Sequence, residues 1–91
     1  MAFLLFRAVM FFVYILRSQV SGKYYVGSTQ EVVNRRREHN YGETPSTRHG
    51  IPWEILHVEE FQTRAEAVRK ENQIKGRGIA RYLNSLDKRL V

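Results

Sequence analysis

Ninety-one residues make one domain, with room for a single modest core and none for a separate substrate-binding domain. The chain has no cysteine, which excludes disulfides, thiolate metal sites and cysteine nucleophiles and accords with a reducing cytoplasm, the expected location. Fifteen Lys and Arg against nine Asp and Glu give a net charge of +6, favouring polyanions: nucleic acid first, an anionic membrane surface second.

The chain opens on a very apolar stretch, Met1–Leu16, interrupted by Arg7. Its longest unbroken run falls well short of the ~18–20 residues that cross a bilayer, so no membrane span is expected. Ala8–Leu16 also resembles a signal-peptide core, but no small-residue cleavage pattern follows it. Residues 1–9 are therefore read as a lead outside the fold, and residues 10–91 as the domain.

Phe11–Arg17 is aromatic and β-branched on both faces, the pattern of a strand covered on both sides. Ser18–Gly22 supplies turn chemistry and Lys23–Ser28 a second strand, predicting a β-hairpin. Ser28 and Glu31 stand at capping-box spacing before a helix to about Asn40. The polar stretch Gly42–Pro52 reads as a loop, and Trp53–Phe61 as a third strand. Thr63 and Glu66 form a second capping box, opening a helix to Lys75 that Gly76 should stop. Ile79–Leu86 reads as a last short helix. The order is ββαβαα: an α+β fold with a small antiparallel three-stranded sheet flanked by helices.

Several side chains on these elements could carry chemistry. A four-residue hairpin loop, Ser18–Ser21, would set Arg17 against Gly22 and Tyr14 against Tyr25, bringing two phenols together. The ordinary account is a cross-strand aromatic pair that stabilises the sheet by about 0.2–1 kcal/mol. On the first helix, Val32, Arg35, Arg36 and His39 follow i, i+3, i+4, i+7 spacing, so Arg35 and His39 share the stripe of an apolar residue. Arg35, Arg36 and Arg37 are consecutive, point ~100° apart and cannot all serve one site. A solvated basic face touching phosphates is the plain alternative. On the second helix, Ala67, Val68, Glu71 and Ile74 form the predicted inward stripe, which places a carboxylate toward the core. Such a group is costly unless it is ion-paired or holds a metal, and both readings stand. One carboxylate with waters and phosphate oxygens is a normal way to hold Mg²⁺.

Phe12-Val13-Tyr14, then Tyr25-Val26-Gly27, Ser28-Thr29, Arg35-x-x-x-His39 and Glu71-Asn72-Gln73-Ile74-Lys75 resemble, in that order, the GIY-YIG nuclease superfamily. The likeness is closest to its small stand-alone members, which look like the nuclease domain of the excinuclease C subunit, and it runs from about Met10 to about Leu86. Phe12 and Val13 replace the glycine and isoleucine of the first triplet, and Val26 the isoleucine of the second.

The resemblance implies a metal-dependent endonuclease that hydrolyses DNA. Tyr14 and Tyr25 would be the motif tyrosines, Arg35 the catalytic arginine, His39 a catalytic partner and Glu71 the ligand of Mg²⁺ or Mn²⁺. Either tyrosine could act as general base. Lys23, Arg36, Arg37 and Lys75 are candidate DNA-backbone contacts, and Asn84 is the candidate for an asparagine that family members often carry near the C-terminal helix. The expected partner is DNA, whether single-stranded, branched or duplex, with no membrane and with the protein a monomer or weak dimer. The rival is a non-catalytic basic nucleic-acid-binding module, which accounts for the charge and the tyrosines but not for Glu71.

Overall fold

A computed structural model describes residues 9–89, with side chains described as far as residue 86. The expectations for residues 1–8 lie outside that range. Strands β1 (Phe11–Ser18), β2 (Tyr24–Thr29) and β3 (Trp53–Phe61) and helices α1 (Val32–Asn40), α2 (Arg64–Arg77) and α3 (Ile79–Arg89) follow the predicted ββαβαα order. A short 3₁₀ helix, Pro45–Gly50, lies within the stretch read as loop.

The sheet is antiparallel with order β2-β1-β3, so β1 is central. That position explains its unbroken apolar sequence: Val13, Tyr14, Ile15 and Leu16 are all buried. Val13 and Ile15 face α2 and α3, packing with Val26, Ala67, Ile74 and Tyr82. Tyr14 and Leu16 face the other way, toward Trp53, Tyr25, Val32 and Ile51. The β1–β3 register slips between Ile15 and Leu16: Ile15 pairs with His57 but Leu16 with Ile55. This bulge turns Ile55 to the Leu16 face.

Four details depart from the sequence reading. The hairpin turn is longer than four residues, closed by Ser18 N–H donating to the Lys23 carbonyl at 2.8 Å. Arg17 therefore faces Tyr24, and Tyr14 lies opposite Gly27 while Tyr25 lies opposite Leu16. A slip of two keeps every side chain on its predicted face, so the two tyrosines still meet, diagonally. Ser28 does not cap α1: it belongs to β2, and the helix starts at Val32 after Glu31 with no side-chain cap. On α2, Val68 is 39% exposed, because the buried line runs through Ala67 and Ile74 and Val68 sits one residue, about 100°, off it. That helix also runs through Gly76 to Arg77 and ends at Gly78, whose φ of 98° only glycine adopts easily. The Thr63–Glu66 capping box is present as predicted, with both reciprocal hydrogen bonds made.

Candidate active site

The motif side chains gather around β2, the edge strand. On the α1 face, Tyr14 is buried and its hydroxyl lies 3.0 Å from His39 Nε2. The Tyr25 ring is 6.1 Å from that of Tyr14 and stands edge-on to His39 at 4.8 Å between centroids. Gly27 makes this possible. A Cβ there would sit 2.6 Å from the Tyr14 hydroxyl oxygen, so the Tyr-x-Gly of β2 leaves the space that the Tyr14 ring crosses.

His39 is buried near the end of α1 and held from both sides. Its Nδ1 lies 2.8 Å from Thr47 Oγ1 in the 3₁₀ helix, opposite the Tyr14 contact. The helix end is tied down by a reciprocal pair: Trp53 N–H donates to Asn40 Oδ1 at 2.7 Å, and Asn40 Nδ2 donates to the Trp53 carbonyl at 3.2 Å. Trp53 Nε1 donates to the Thr47 carbonyl at 2.8 Å. The indole lies where a Cβ on residue 50 would stand, so Gly50 admits it.

Burial sets the proton affinities. It pushes the Tyr14 phenol well above its ordinary range, reinforced by neighbouring Tyr25 and opposed by Arg35. It lowers the His39 imidazole, and the Arg35 charge lowers it further. At neutral pH Tyr14 thus keeps its proton and His39 stays uncharged.

Glu71 approaches from the other side of the sheet. Ser28, opposite Val13, faces α2, and its hydroxyl donates to Glu71 Oε1 at 2.9 Å. Lys75 Nζ lies 2.8 Å from Glu71 Oε2, one helical turn away. The Glu71 side chain is 16% exposed, against 54% for Lys75, so the carboxylate is set inward and the amine outward. Contact with Glu71, and then its charge, raises the Lys75 ammonium. The sequence offered an ion pair or a metal for Glu71; the structure shows the pair with Lys75, leaving lone pairs on both carboxylate oxygens.

An open cleft of about 250 Å³ lies where β2 runs into α1, lined by Glu71's partner Ser28 and by Thr29, Glu31, Arg35, Glu38 and Arg64 among others. Arg35 lines it with its side chain 43% exposed and its guanidinium 3.1 Å from Glu38. Arg64, at the start of α2, places its guanidinium over the Phe11 ring at 4.9 Å. Of the proposed DNA contacts, Arg36 and Arg37 are exposed on α1, and Lys75 is tied to Glu71. Lys23 is exposed in the hairpin turn, some five residues, or roughly 16 Å of strand, from Ser28. Asn84 is exposed on α3 and does not line the cleft.

Sequence reasoning missed Ser28 as the partner of Glu71, reading it as a cap, and missed Thr47 and Arg64 altogether. The Ser28 signal was its even separation from Val26, which puts both on the α2 face. For Thr47, inside an irregular loop, there was none.

The GIY-YIG catalytic domain family model matches residues 10–83. The chain is 38% identical over 75 residues to the structure-specific endonuclease subunit Slx1 of Schizosaccharomyces pombe, a match covering 78% of this chain and 28% of that protein. It thus spans under a third of that relative. A UPF0213 protein of Halobacterium salinarum is 39% identical over 64 residues, covering 69% of this chain and 82% of the relative. The solution NMR structure of a UPF0213 protein from Bacillus halodurans superposes with a TM-score of 0.54 at 26% identity, covering 86% of this chain and 83% of that one.

Proposed function

The chain belongs to the GIY-YIG catalytic domain family, and from that premise we propose that it is a divalent-metal-dependent DNA endonuclease, selective for strand structure rather than base sequence. One observation carries the reading. A half-buried carboxylate, Glu71, is fixed on one side of edge strand β2, while Tyr25, Tyr14 and His39 converge from the other and Arg35 lines the cleft with Ser28.

The chain's own groups then divide the work. Tyr14 is no base: burial raises its phenol, and its hydroxyl is engaged by His39. Tyr25, only half-buried and next to Tyr14 and His39, is the phenol left to serve as general base, giving its own proton to solvent before its oxygen takes one from the attacking water. Arg35, in the cleft wall, can leave Glu38 for a phosphate oxygen, its planar fork matching that geometry. Arg36 and Arg37, exposed on the same helix, supply charge for the DNA backbone without reading bases.

The residues fit a hydrated hard cation. Glu71 offers carboxylate oxygens with Ser28 fixing one of them, and no cluster of three or more His, Cys, Asp or Glu occurs among the described residues. Mg²⁺ and Mn²⁺ are commonly held in this way, by one or two carboxylates with water and substrate oxygens. When bound there, the ion would supply charge stabilisation to the phosphoryl oxygens and the departing 3′ oxygen.

Selectivity for structure is supported by the small interface one such domain presents, and by the printed name of the Slx1 relative, a structure-specific endonuclease subunit. The test is cleavage of end-labelled single-stranded, duplex and branched DNA in Mg²⁺ or Mn²⁺. Cleavage should stop in EDTA and in Glu71→Gln, which should still bind DNA. Cutting by Glu71→Gln at the wild-type rate overturns the proposal. Wild-type binding with no cleavage of any of these DNAs would favour a purely binding module.

A further inference from the structure

We propose that Thr47 is a positioning residue of this site, fixing the tautomer of His39 and thereby the direction in which the hydroxyl of Tyr14, the neighbour of Tyr25, points. This rests on the reading of Tyr25 as the group that takes the water's proton.

The proposal comes from counting protons along a buried chain. Thr47 Oγ1 is 3.2 Å from the Thr44 carbonyl oxygen, which can only accept. The hydroxyl's one proton goes there, so the same oxygen must accept from His39 Nδ1, 2.8 Å away. The His39 proton is then on Nδ1. Nε2 carries a bare lone pair and, at 3.0 Å, accepts the proton of Tyr14. The Tyr14 oxygen, its proton spent inward, has only lone pairs left for its other neighbours. From Tyr14 through His39 and Thr47 to the Thr44 carbonyl every donor faces the core, so Tyr14 has no proton to direct at the neighbouring Tyr25.

Reversing the imidazole would reverse the chain. With the proton on Nε2, His39 would donate to Tyr14, and Tyr14 would turn its own proton away from His39 toward its other neighbours. Thr47 is well placed to prevent this. It is 2% exposed, and Trp53 Nε1 holds its carbonyl at 2.8 Å, so neither its side chain nor its backbone is free to move away. All three members, Tyr14, His39 and Thr47, are buried, where water cannot substitute for a lost partner. Nothing in the chemistry of hydrolysis requires a threonine at this position; the hydrogen-bond count does.

The test is long-range ¹H–¹⁵N NMR on the imidazole of His39 in the full chain, joined to cleavage kinetics. Wild type should show Nδ1 protonated and Nε2 bare. Thr47→Val, near in shape but unable to accept, should move the proton to Nε2 and lower kcat by about 10–100-fold with KM little changed, the scale of losing a group that orients a functional side chain. Thr47→Ser should restore both the tautomer and the rate. A wild-type imidazole protonated on Nε2 overturns the proposal, as does a Thr47→Val variant that stays folded with its proton still on Nδ1. These NMR outcomes are independent of cleavage. A protein with the expected tautomer that cuts no DNA would sink the nuclease reading and leave the tautomer lock in place.

Discussion

Gly27 lies directly across the β1–β2 ladder from Tyr14, and the tyrosine ring occupies the space a side chain at residue 27 would need. A Cβ there would meet the Tyr14 hydroxyl oxygen at 2.6 Å and Cζ at 2.8 Å. Tyr14 cannot easily yield, since its ring is buried and its hydroxyl is held by His39. The glycine of the second motif half is thus a packing requirement of the tyrosine in the first.

Gly27→Ala should therefore cost stability and displace Tyr14. Overpacking of a close-fitting core typically costs about 1–3 kcal/mol. Thermal melts should show a lowered Tm, and cleavage should fall further than the melt alone explains. A Gly27→Ala protein with the melting temperature and rate of wild type would mean that the Tyr14 ring position is not fixed.

Ser28 gives a second handle, because it touches Glu71 and no other proposed catalytic group by a hydrogen bond. Losing a group that orients a metal ligand commonly costs about 10–100-fold in metal affinity or activity. Ser28→Ala should raise the Mg²⁺ concentration needed for half-maximal cleavage by about that factor, with the rate recovering at saturating metal. An unchanged metal titration would show that Glu71 needs no such support.

How much of this could be read from residue order alone depends on the kind of information involved. The strands and their faces follow from period-two alternation, which survives a register slip of two; Tyr14 and Tyr25 meet although the hairpin turn was misjudged. The second capping box is local chemistry and is present as expected. The first was a coincidence of spacing, because Ser28 spends its hydroxyl on Glu71, 43 positions away. Pairings of that range leave no local mark. The same holds for Thr47 and His39, brought together by a 3₁₀ helix in a stretch that reads as polar loop. Val68 misled because an apolar side chain was assigned inward from its type, when the angle from Ala67 and Ile74 decides.

The arginines of α1 should separate by role. Arg35 lines the cleft, whereas Arg37 is exposed and absent from its lining. Arg35→Ala should slow cleavage by roughly 10²-fold or more, as for loss of a transition-state charge partner. Arg37→Ala should weaken DNA binding and reduce the salt dependence of affinity by about one unit of slope, leaving kcat nearly intact. Salt titrations of binding and single-turnover rates measure the two effects. Equal, small losses from both would make α1 a basic face without a catalytic member.

The last prediction concerns acid. His39 is lowered below its ordinary value of 6.5 by burial first and by Arg35 second, with Glu38 opposing. In the unfolded chain the same imidazole takes a proton near pH 6.5. Between that value and the lower folded one, the unfolded state binds more protons than the native state, so stability falls as the pH drops and is fully present only above about 6.5. The slope is at most about 1.4 kcal/mol per pH unit for one such group. Glu59 is also lowered: burial works against the shift, and its bonds from Tyr82 and His57 outweigh it. A depressed carboxylate loses its contribution only as pH falls below its ordinary 4.5, so it acts in a separate, more acid window. Urea denaturation between pH 7.5 and 5 should thus show a declining midpoint in wild type. His39→Gln, which cannot take up a proton, should start less stable and decline less over the same range. Subtracting the two curves removes what is common to both proteins. Parallel curves would mean that His39 is no harder to protonate when folded, and that the chain from Tyr14 to Thr47 is not closed to water.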